Sequence, residues 1–139
     1  MASIDRKIKR KLEKDSPIKH SEKIVKNAEK LLDMTDRPLD ILKELIFNLG
    51  DSENTANVKK RVEGMKKRIE EDISAIRDTI DKLKPLIAKK KLTKLEIADS
   101  VDHTMDLSQR VLLLEEGLRD VDTFFMEMSD IAKKGKENG

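Results

Sequence analysis

Apolar side chains recur every three or four residues through most of the stretch from Thr55 to Lys134. The first half carries this stripe at Val58, Val62, Met65, Ile69, Ile73, Ile76, Ile80, Leu83 and Ile87. The second half carries it, with hydroxyl residues at two positions, at Ile97, Val101, Thr104, Ser108, Val111, Leu114, Leu118, Val121, Phe125, Met128 and Ala132. Such spacing is typical of a helix whose one apolar face packs against another helix. We therefore expect two long helices folded back on each other.

A short segment predicts where the second long helix begins. Thr93 is a good N-cap residue, and Glu96 stands three positions later, which is the pattern of a capping box. Leu92 and Ile97 occupy the positions that pair as a hydrophobic staple. The turn is therefore expected near residues 91–93.

Shorter helices are predicted before this hairpin. Ser16-Pro17 reads as the end of one helix and the start of another, which runs to about Met34. Pro38 begins a further helix that Gly50 ends. Residues 1–16 then form a basic amphipathic arm with Ile4, Ile8 and Leu12 on one face, and residues 17–139 form a helical domain.

The predicted fold class is all-α. It is an antiparallel helical bundle built on the long hairpin, with about four helices and the short N-terminal amphipathic helix. Charged residues make up 42% and aromatic residues 2% of the chain, a composition shared with disordered proteins, but the periodic apolar pattern favours helices. Gly117 within the last helix suggests a close approach of two helices there.

The sequence favours a protein that is not an enzyme. It contains no Cys, no glycine-rich phosphate loop and no Ser/His/acid grouping that the periodicity would bring together. One stripe of the last predicted helix carries three acids and one imidazole: Glu96, Asp99, His103 and Asp106. We interpret this stripe as a solvated face, and we expect neither a metal nor a cofactor there.

Charge is distributed unevenly, although the formal net charge is only +2. Basic residues are in excess in residues 1–30, 59–68 and 84–94, whereas residues 95–132 hold ten acids and two bases. The basic and acidic regions are expected to pair within a monomer or across a dimer. One alternative is a nucleic-acid-associated bundle that binds polyanions through the N-terminal arm; a lesser one is binding at a membrane surface. The arm residues concerned are Arg6, Lys7, Lys9, Arg10 and Lys11.

The leading functional hypothesis is a non-enzymatic helical interaction protein, such as an adaptor, an assembly chaperone or a scaffold-type subunit. Its protein partner would bind apolar groups that one hairpin hides least easily: Leu42, Leu45, Ile46, Phe47, Leu112, Leu113, Phe124, Phe125 and Met126. The apolar girdle at Val111–Leu114 and Phe124–Met126 also suggests a homodimer. No transmembrane segment is expected, and the absence of Cys favours a cytoplasmic protein.

Overall fold

The computed structural model describes the backbone of residues 2–138 and the side chains of residues 18–133. Its helices are α1 (Ala2–Asp33), α2 (Asp36–Leu49), α3 (Ala56–Ala88) and α4 (Lys94–Asn138), with a 3-10 turn at Glu53–Thr55 before α3. The described backbone contains no strand, so the prediction of an all-α fold is confirmed.

The start of α4 is stabilised by the predicted capping box. The amide of Glu96 donates to Thr93 Oγ1 at 3.2 Å, and the amide of Thr93 donates to Glu96 Oε1 at 3.1 Å. The first helical hydrogen bond joins the Ile97 amide to the Thr93 carbonyl at 2.9 Å. Two amides that would otherwise lack a helical acceptor are thereby paired. The predicted boundary at Thr93 is confirmed.

Gly50 ends α2 as predicted. Its φ is +62°, in the region that only glycine adopts without strain. Thr35, between α1 and α2, is buried and donates from Oγ1 to the Leu32 carbonyl at 2.6 Å. Both connections around α2 are therefore fixed by local hydrogen bonding and backbone conformation.

The predicted break at Ser16-Pro17 is wrong at the level of the backbone, because α1 runs without interruption from Ala2 to Asp33. A proline inside a helix removes one hydrogen bond and crowds the preceding turn, at a cost of about 3 kcal/mol. Ser21, Val25 and Ala28 are buried in the next turns, so packing holds the helix directly after the proline. The division into an arm and a body at residue 16 stays a prediction, since the arm's side chains lie outside the described ones.

The predicted stripe of α3 forms one side of the core. Most of its members are buried, and Val58, Met65 and Ile87 are partly buried beside them. The buried apolar residues from the other helices complete the cluster: Val25, Ala28, Leu42, Leu107, Leu114, Val121 and Phe124. The core therefore draws on all the long elements, with α3 as its largest contributor.

Side-chain contacts between α3 and α4 run in opposite chain order. Arg61 pairs with Glu127 at 3.5 Å, Arg68 with Asp120 at 3.3 Å, and Thr79 Oγ1 donates to Asp106 at 3.3 Å. Later residues of α3 thus meet earlier residues of α4. This order places the acidic face of α4 beside the basic start of α3, so pairing within one chain occurs as expected. Within the described part of the chain, no helix is both long and apolar enough to cross a bilayer.

Candidate interaction surface on α1 and α4

A row of exposed apolar side chains lies along α4. Val101 is 40% exposed, Met105 62% and Leu112 61%. Their spacings of four and seven residues place them on one face of the helix. Three large apolar groups on one stripe bring much more apolar surface to solvent than single scattered residues would, so this face is a candidate interaction surface.

Beside this row, α1 packs on α4 through hydroxyl groups. Ser21 Oγ and Thr104 Oγ1 are 2.7 Å apart, and both residues are buried. Thr104 Oγ1 also donates to the Ser100 carbonyl at 2.6 Å, so the two hydroxyls join the Ser21 side chain to the backbone of α4. The contact between the two helices is polar at this level and is hydrogen-bonded.

Two clefts open between α1 and α4 and share Ser108. The first has a volume of about 300 Å³ and is lined by His20, Ser21, Val101, Thr104, Met105, Ser108 and Gln109. The second is lined by Ile24, Asn27, Ser108, Val111, Leu112 and Glu115. Together they form a groove, which we call the α1–α4 groove, and it contains the exposed row of α4. A groove with an apolar wall and few polar groups is the usual form of a helix-binding site.

Among the described side chains, Glu115 is the one carboxylate that lines the groove, and Asp102 follows Val101 on the exposed side of α4. Among residues 18–133, no Lys, Arg or His lies within ion-pair distance of either carboxylate. The described residues of α1 that line the groove include no Lys, Arg, Asp or Glu. The groove is therefore apolar with a negative margin on its α4 side.

Other acids of α4 are already paired. Arg110 Nε donates to Asp106 at 2.9 Å, and this hydrogen bond, with a smaller contribution from Thr79, holds the pKa of Asp106 below its usual value. Lys89 donates to Glu96, which together with the Thr93 amide lowers the pKa of Glu96. Both carboxylates are therefore held in ion pairs in this structure.

Within the described part of the chain, six of the eleven bases in residues 59–68 and 84–94 are likewise in ion pairs. Ion pairs join Lys59 to Asp51, Arg61 to Glu127, Lys66 to Glu70, Arg68 to Glu116 and Asp120, Lys84 to Glu29, and Lys89 to Glu96. Pairing reduces the net positive field that a polyanion would meet at residues 59–68 and 84–94. The proposed polyanion-binding residues Arg6, Lys7, Lys9, Arg10 and Lys11 have side chains outside the described part, and that hypothesis stays a prediction.

The nine predicted partner-binding residues divide into three groups. Leu42 and Phe124 are core residues, at 0% and 2% exposed. Leu45, Ile46 and Phe125 are partly buried against that core. Phe47, Leu112, Leu113 and Met126 are exposed. Only the last group, with Phe47 at 85% as its extreme, presents a full apolar side chain to solvent in this structure.

Leu42 and Phe124 are buried for different reasons. Leu42 points into the cluster formed with α3, as the centre of the apolar face of α2. Phe124 is covered by the guanidinium of Arg61, whose Cζ lies 5.0 Å from the ring centroid, and its ring lies 6.1 Å from that of Phe125. A cation over an aromatic face is attractive and also shields the ring from water.

Val101 and Met105 were not predicted as surface residues. The sequence placed Val101 in the buried stripe of α4, whereas the buried positions are Ser100, Thr104, Leu107, Leu114 and Val121. Together with the partly buried Val111 and Leu118, these positions follow one another along α4 in alternating steps of four and three residues. The sequence therefore contains the periodic pattern of the buried face, but two of its positions, Ser100 and Thr104, are hydroxyl residues.

Comparison of the chain with models of known protein families, with curated proteins and with solved structures finds no match.

Proposed function

We propose that this protein is a non-enzymatic helical interaction protein that binds a protein partner at the α1–α4 groove. The observation that carries the proposal is the exposed row of Val101, Met105 and Leu112 along that groove. Exposed apolar rows of this kind are typical of partner-binding surfaces, because covering them removes apolar area from water. An adaptor, an assembly chaperone and a scaffold-type subunit all work through such a surface.

We further infer that the helices form an antiparallel bundle around the α3–α4 hairpin. The opposite chain order of the α3–α4 contacts and the core shared with α1 and α2 support this arrangement. In a bundle of this kind the groove lies between two rigid helices, so its width is set by the Ser21–Thr104 contact. A preformed groove loses little entropy on binding.

Leu113, Met126 and Phe47 are exposed apolar groups outside the groove lining. They are candidates for a second contact surface, and self-association as a homodimer is the simplest use of it. Sedimentation equilibrium tests this hypothesis. A dimer mass at micromolar concentration is expected, whereas a mass of 15.9 kDa at every concentration would exclude it.

Substitution of the exposed row tests the proposed function. Met105→Gln and Leu112→Gln replace apolar groups by uncharged side chains with good helix propensity, so the fold should be retained. Leu95→Gln is the matched control, because Leu95 is 78% exposed on α4 and lines neither cleft. Tagged wild type and variants are compared in affinity capture from a native-host lysate, with captured proteins identified by mass spectrometry.

We expect one protein to be captured by the wild type and by Leu95→Gln but lost with Met105→Gln and Leu112→Gln. Circular dichroism and melting curves check that the groove variants are folded. Equal capture of every partner by all variants would contradict a function at the α1–α4 groove.

A further inference from the structure

We infer that the occupant of the α1–α4 groove is a cationic amphipathic helix of a partner protein, one with an apolar stripe bordered by Lys or Arg. This inference rests on the proposed function and adds the chemistry of the partner to it.

The apolar requirement follows from the geometry of the exposed row. Val101 and Leu112 are eleven residues apart on one helix, which corresponds to about 16 Å along its axis. Met105 lies between them on the same stripe, and Ser108, which both clefts share, leaves a gap where a partner side chain can enter. An apolar stripe three turns long in a partner helix covers this length, with side chains at i, i+4, i+7 and i+11.

The charge requirement follows from the margin of the groove. Glu115 lines the second cleft, and Asp102 stands next to Val101; neither carboxylate has a basic partner among residues 18–133. Residues 95–132 hold ten acids and two bases, and five of the acids are already in ion pairs: Glu96, Asp106, Glu116, Asp120 and Glu127. A helix with Lys or Arg beside its apolar stripe would neutralise Glu115 and Asp102.

The opposite chemistry is disfavoured by the same groups. A helix bordered by Glu or Asp would bring like charges against Glu115, which is partly buried in the lining of the groove, where repulsion is stronger than in bulk water. On the α1 side, the described lining residues His20, Ser21, Ile24 and Asn27 include no Lys, Arg, Asp or Glu. Lys23 on α1 and Asp102 on α4 are both exposed and line neither cleft, so among Lys, Arg, Asp and Glu it is Glu115 that lines the groove in the described part of the chain. The charge preference of the groove is therefore set by α4.

The test uses the full-length protein and three fluorescein-labelled peptides of about 15 residues. The first has leucines at i, i+4, i+7 and i+11 with lysines beside them, and the second has the same leucines with glutamates in place of the lysines. The third has the sequence of residues 2–15 of this chain, which is itself cationic with Ile4, Ile8 and Leu12 spaced by four. Binding is followed by fluorescence anisotropy at about 0.05 M and about 0.5 M NaCl, a range over which exposed charge pairs become largely screened.

The lysine peptide is expected to bind at least ~10-fold more tightly than the glutamate peptide at low salt, and this ratio should shrink at high salt. Met105→Gln and Leu112→Gln should weaken binding of the lysine peptide at both salt concentrations, whereas Leu95→Gln should not. Glu115→Gln and Asp102→Asn should weaken it at low salt only. The charge-reversing Glu115→Lys should lower the lysine-to-glutamate ratio further.

Three results would overturn the inference. They are equal or preferred binding of the glutamate peptide, no binding of the lysine peptide at high micromolar concentration, and tighter binding of the peptide of residues 2–15 than of the lysine peptide. The last result would identify a second copy of this chain as the occupant. The proposed function fails separately, through lysate capture that the groove variants leave unchanged.

Discussion

Ser21 and Thr104 are 83 positions apart in the chain, yet their hydroxyl oxygens lie 2.7 Å apart in the buried contact between α1 and α4. Thr104 in turn donates to the Ser100 carbonyl of its own helix. The Thr104 side chain is therefore hydrogen-bonded both to Ser21 of α1 and to the backbone of α4, and it links the position of α1 to that backbone. The α1–α4 groove lies directly beside this link, so its shape depends on it.

Thr104→Val should therefore destabilise the protein. The substitution is nearly isosteric but removes two buried hydrogen bonds, each with a net value of about 1 kcal/mol, so we expect a loss of about 1–2 kcal/mol in the free energy of unfolding. Urea denaturation followed by circular dichroism measures it. Thr123→Val, at an exposed position of the same helix, is the matched control and should change stability by less than about 0.5 kcal/mol.

Combining Thr104→Val with Ser21→Ala isolates the shared hydrogen bond. The double variant should lose less stability than the sum of the single variants, by about 0.5–1.5 kcal/mol, because both single changes remove the same interaction. Strict additivity would show that the two hydroxyls are not coupled.

The capping box makes a prediction about the hairpin turn. Thr93→Ala removes the oxygen that accepts from the Glu96 amide at 3.2 Å and should cost about 0.5–2 kcal/mol. Thr93→Ser retains that oxygen and should remain within about 0.5 kcal/mol of the wild type. The measurement is again a urea melt, and overlaid curves for Thr93→Ala and wild type would contradict the cap.

Gly117 does not mark a close approach of backbones, which is a correction of the sequence-based expectation. A Cβ at this position would have its nearest neighbours in the side chains of Arg68, Ile69 and Asp72, at 3.8, 3.9 and 4.0 Å, which are ordinary contact distances. Gly117→Ala should therefore stabilise α4 by about 0.5–1 kcal/mol through helix propensity.

Gly64→Ala is the control for this effect, because a Cβ there meets nothing within 4 Å among the described residues. Both variants should raise the melting temperature by a similar amount. A lower melting temperature for Gly117→Ala alone would show that the two helices are closer than their side-chain distances indicate.

The carboxyl of Asp72 is expected to make the stability of the protein depend on pH. Its Oδ2 is buried and has no hydrogen-bond partner in the described part of the chain, and this burial raises the pKa of Asp72 despite the attraction of Arg68 and Arg110. A carboxyl whose pKa is higher in the folded state than in the unfolded state stabilises the protein fully at a pH below its unfolded pKa, here about 3.8. This stabilisation is lost as the pH rises through the pKa of the folded state.

Asp72→Asn should consequently gain stability relative to wild type at neutral pH, and the gain should vanish below the unfolded pKa. Urea melts across this pH range measure the difference. Asp106→Asn is the matched opposite case, because Arg110 lowers the pKa of Asp106 and the wild-type advantage should be lost as pH falls through that lowered pKa. A carboxyl titration by NMR that places the Asp72 pKa below its usual value would contradict the expectation.

Deletion of residues 1–15 tests the N-terminal arm. We expect the truncated protein to melt at a lower temperature and to lose more helix than the deleted residues account for, because a basic amphipathic segment can dock on the acidic face of α4. Deletion of residues 134–139 at the other terminus is the control. Unchanged melting with weaker partner binding would instead favour an arm that acts only in recognition.

Much of the helical organisation follows from local signals. The stripe of α3 from Val58 to Ile87, the cap at Thr93 and the end of α2 at Gly50 are each determined by residues within a few turns of one another. Such features need no knowledge of the partner helix, because capping hydrogen bonds, a positive φ and a 3.6-residue period are properties of one chain segment.

Predictions from local sequence fail where tertiary packing outweighs the preference of the individual residue. Pro17 is a helix breaker by its own chemistry, but the buried face beginning at Ser21 continues the helix around it. Phe124 is a large aromatic residue of the kind that binds partners at protein interfaces, but the guanidinium of Arg61 from α3 covers its ring.

The sequence by itself determined that this chain is all-α, where the turn before α4 lies and which stripe of α3 is buried. Only the tertiary structure decided that Ser100 and Leu107 belong to the buried stripe of α4 and that Val101 and Met105 lie on the solvent side, along the groove. The physical reason is that hydrophobicity ranks Val101 above Ser100, while hydrogen-bonded hydroxyls can be buried at little cost: Ser100 bonds to its own helix, and Thr104 bonds to a partner on α1. Once α1 supplied Ser21 as that partner, Val101 and Met105 remained on the solvent side of α4.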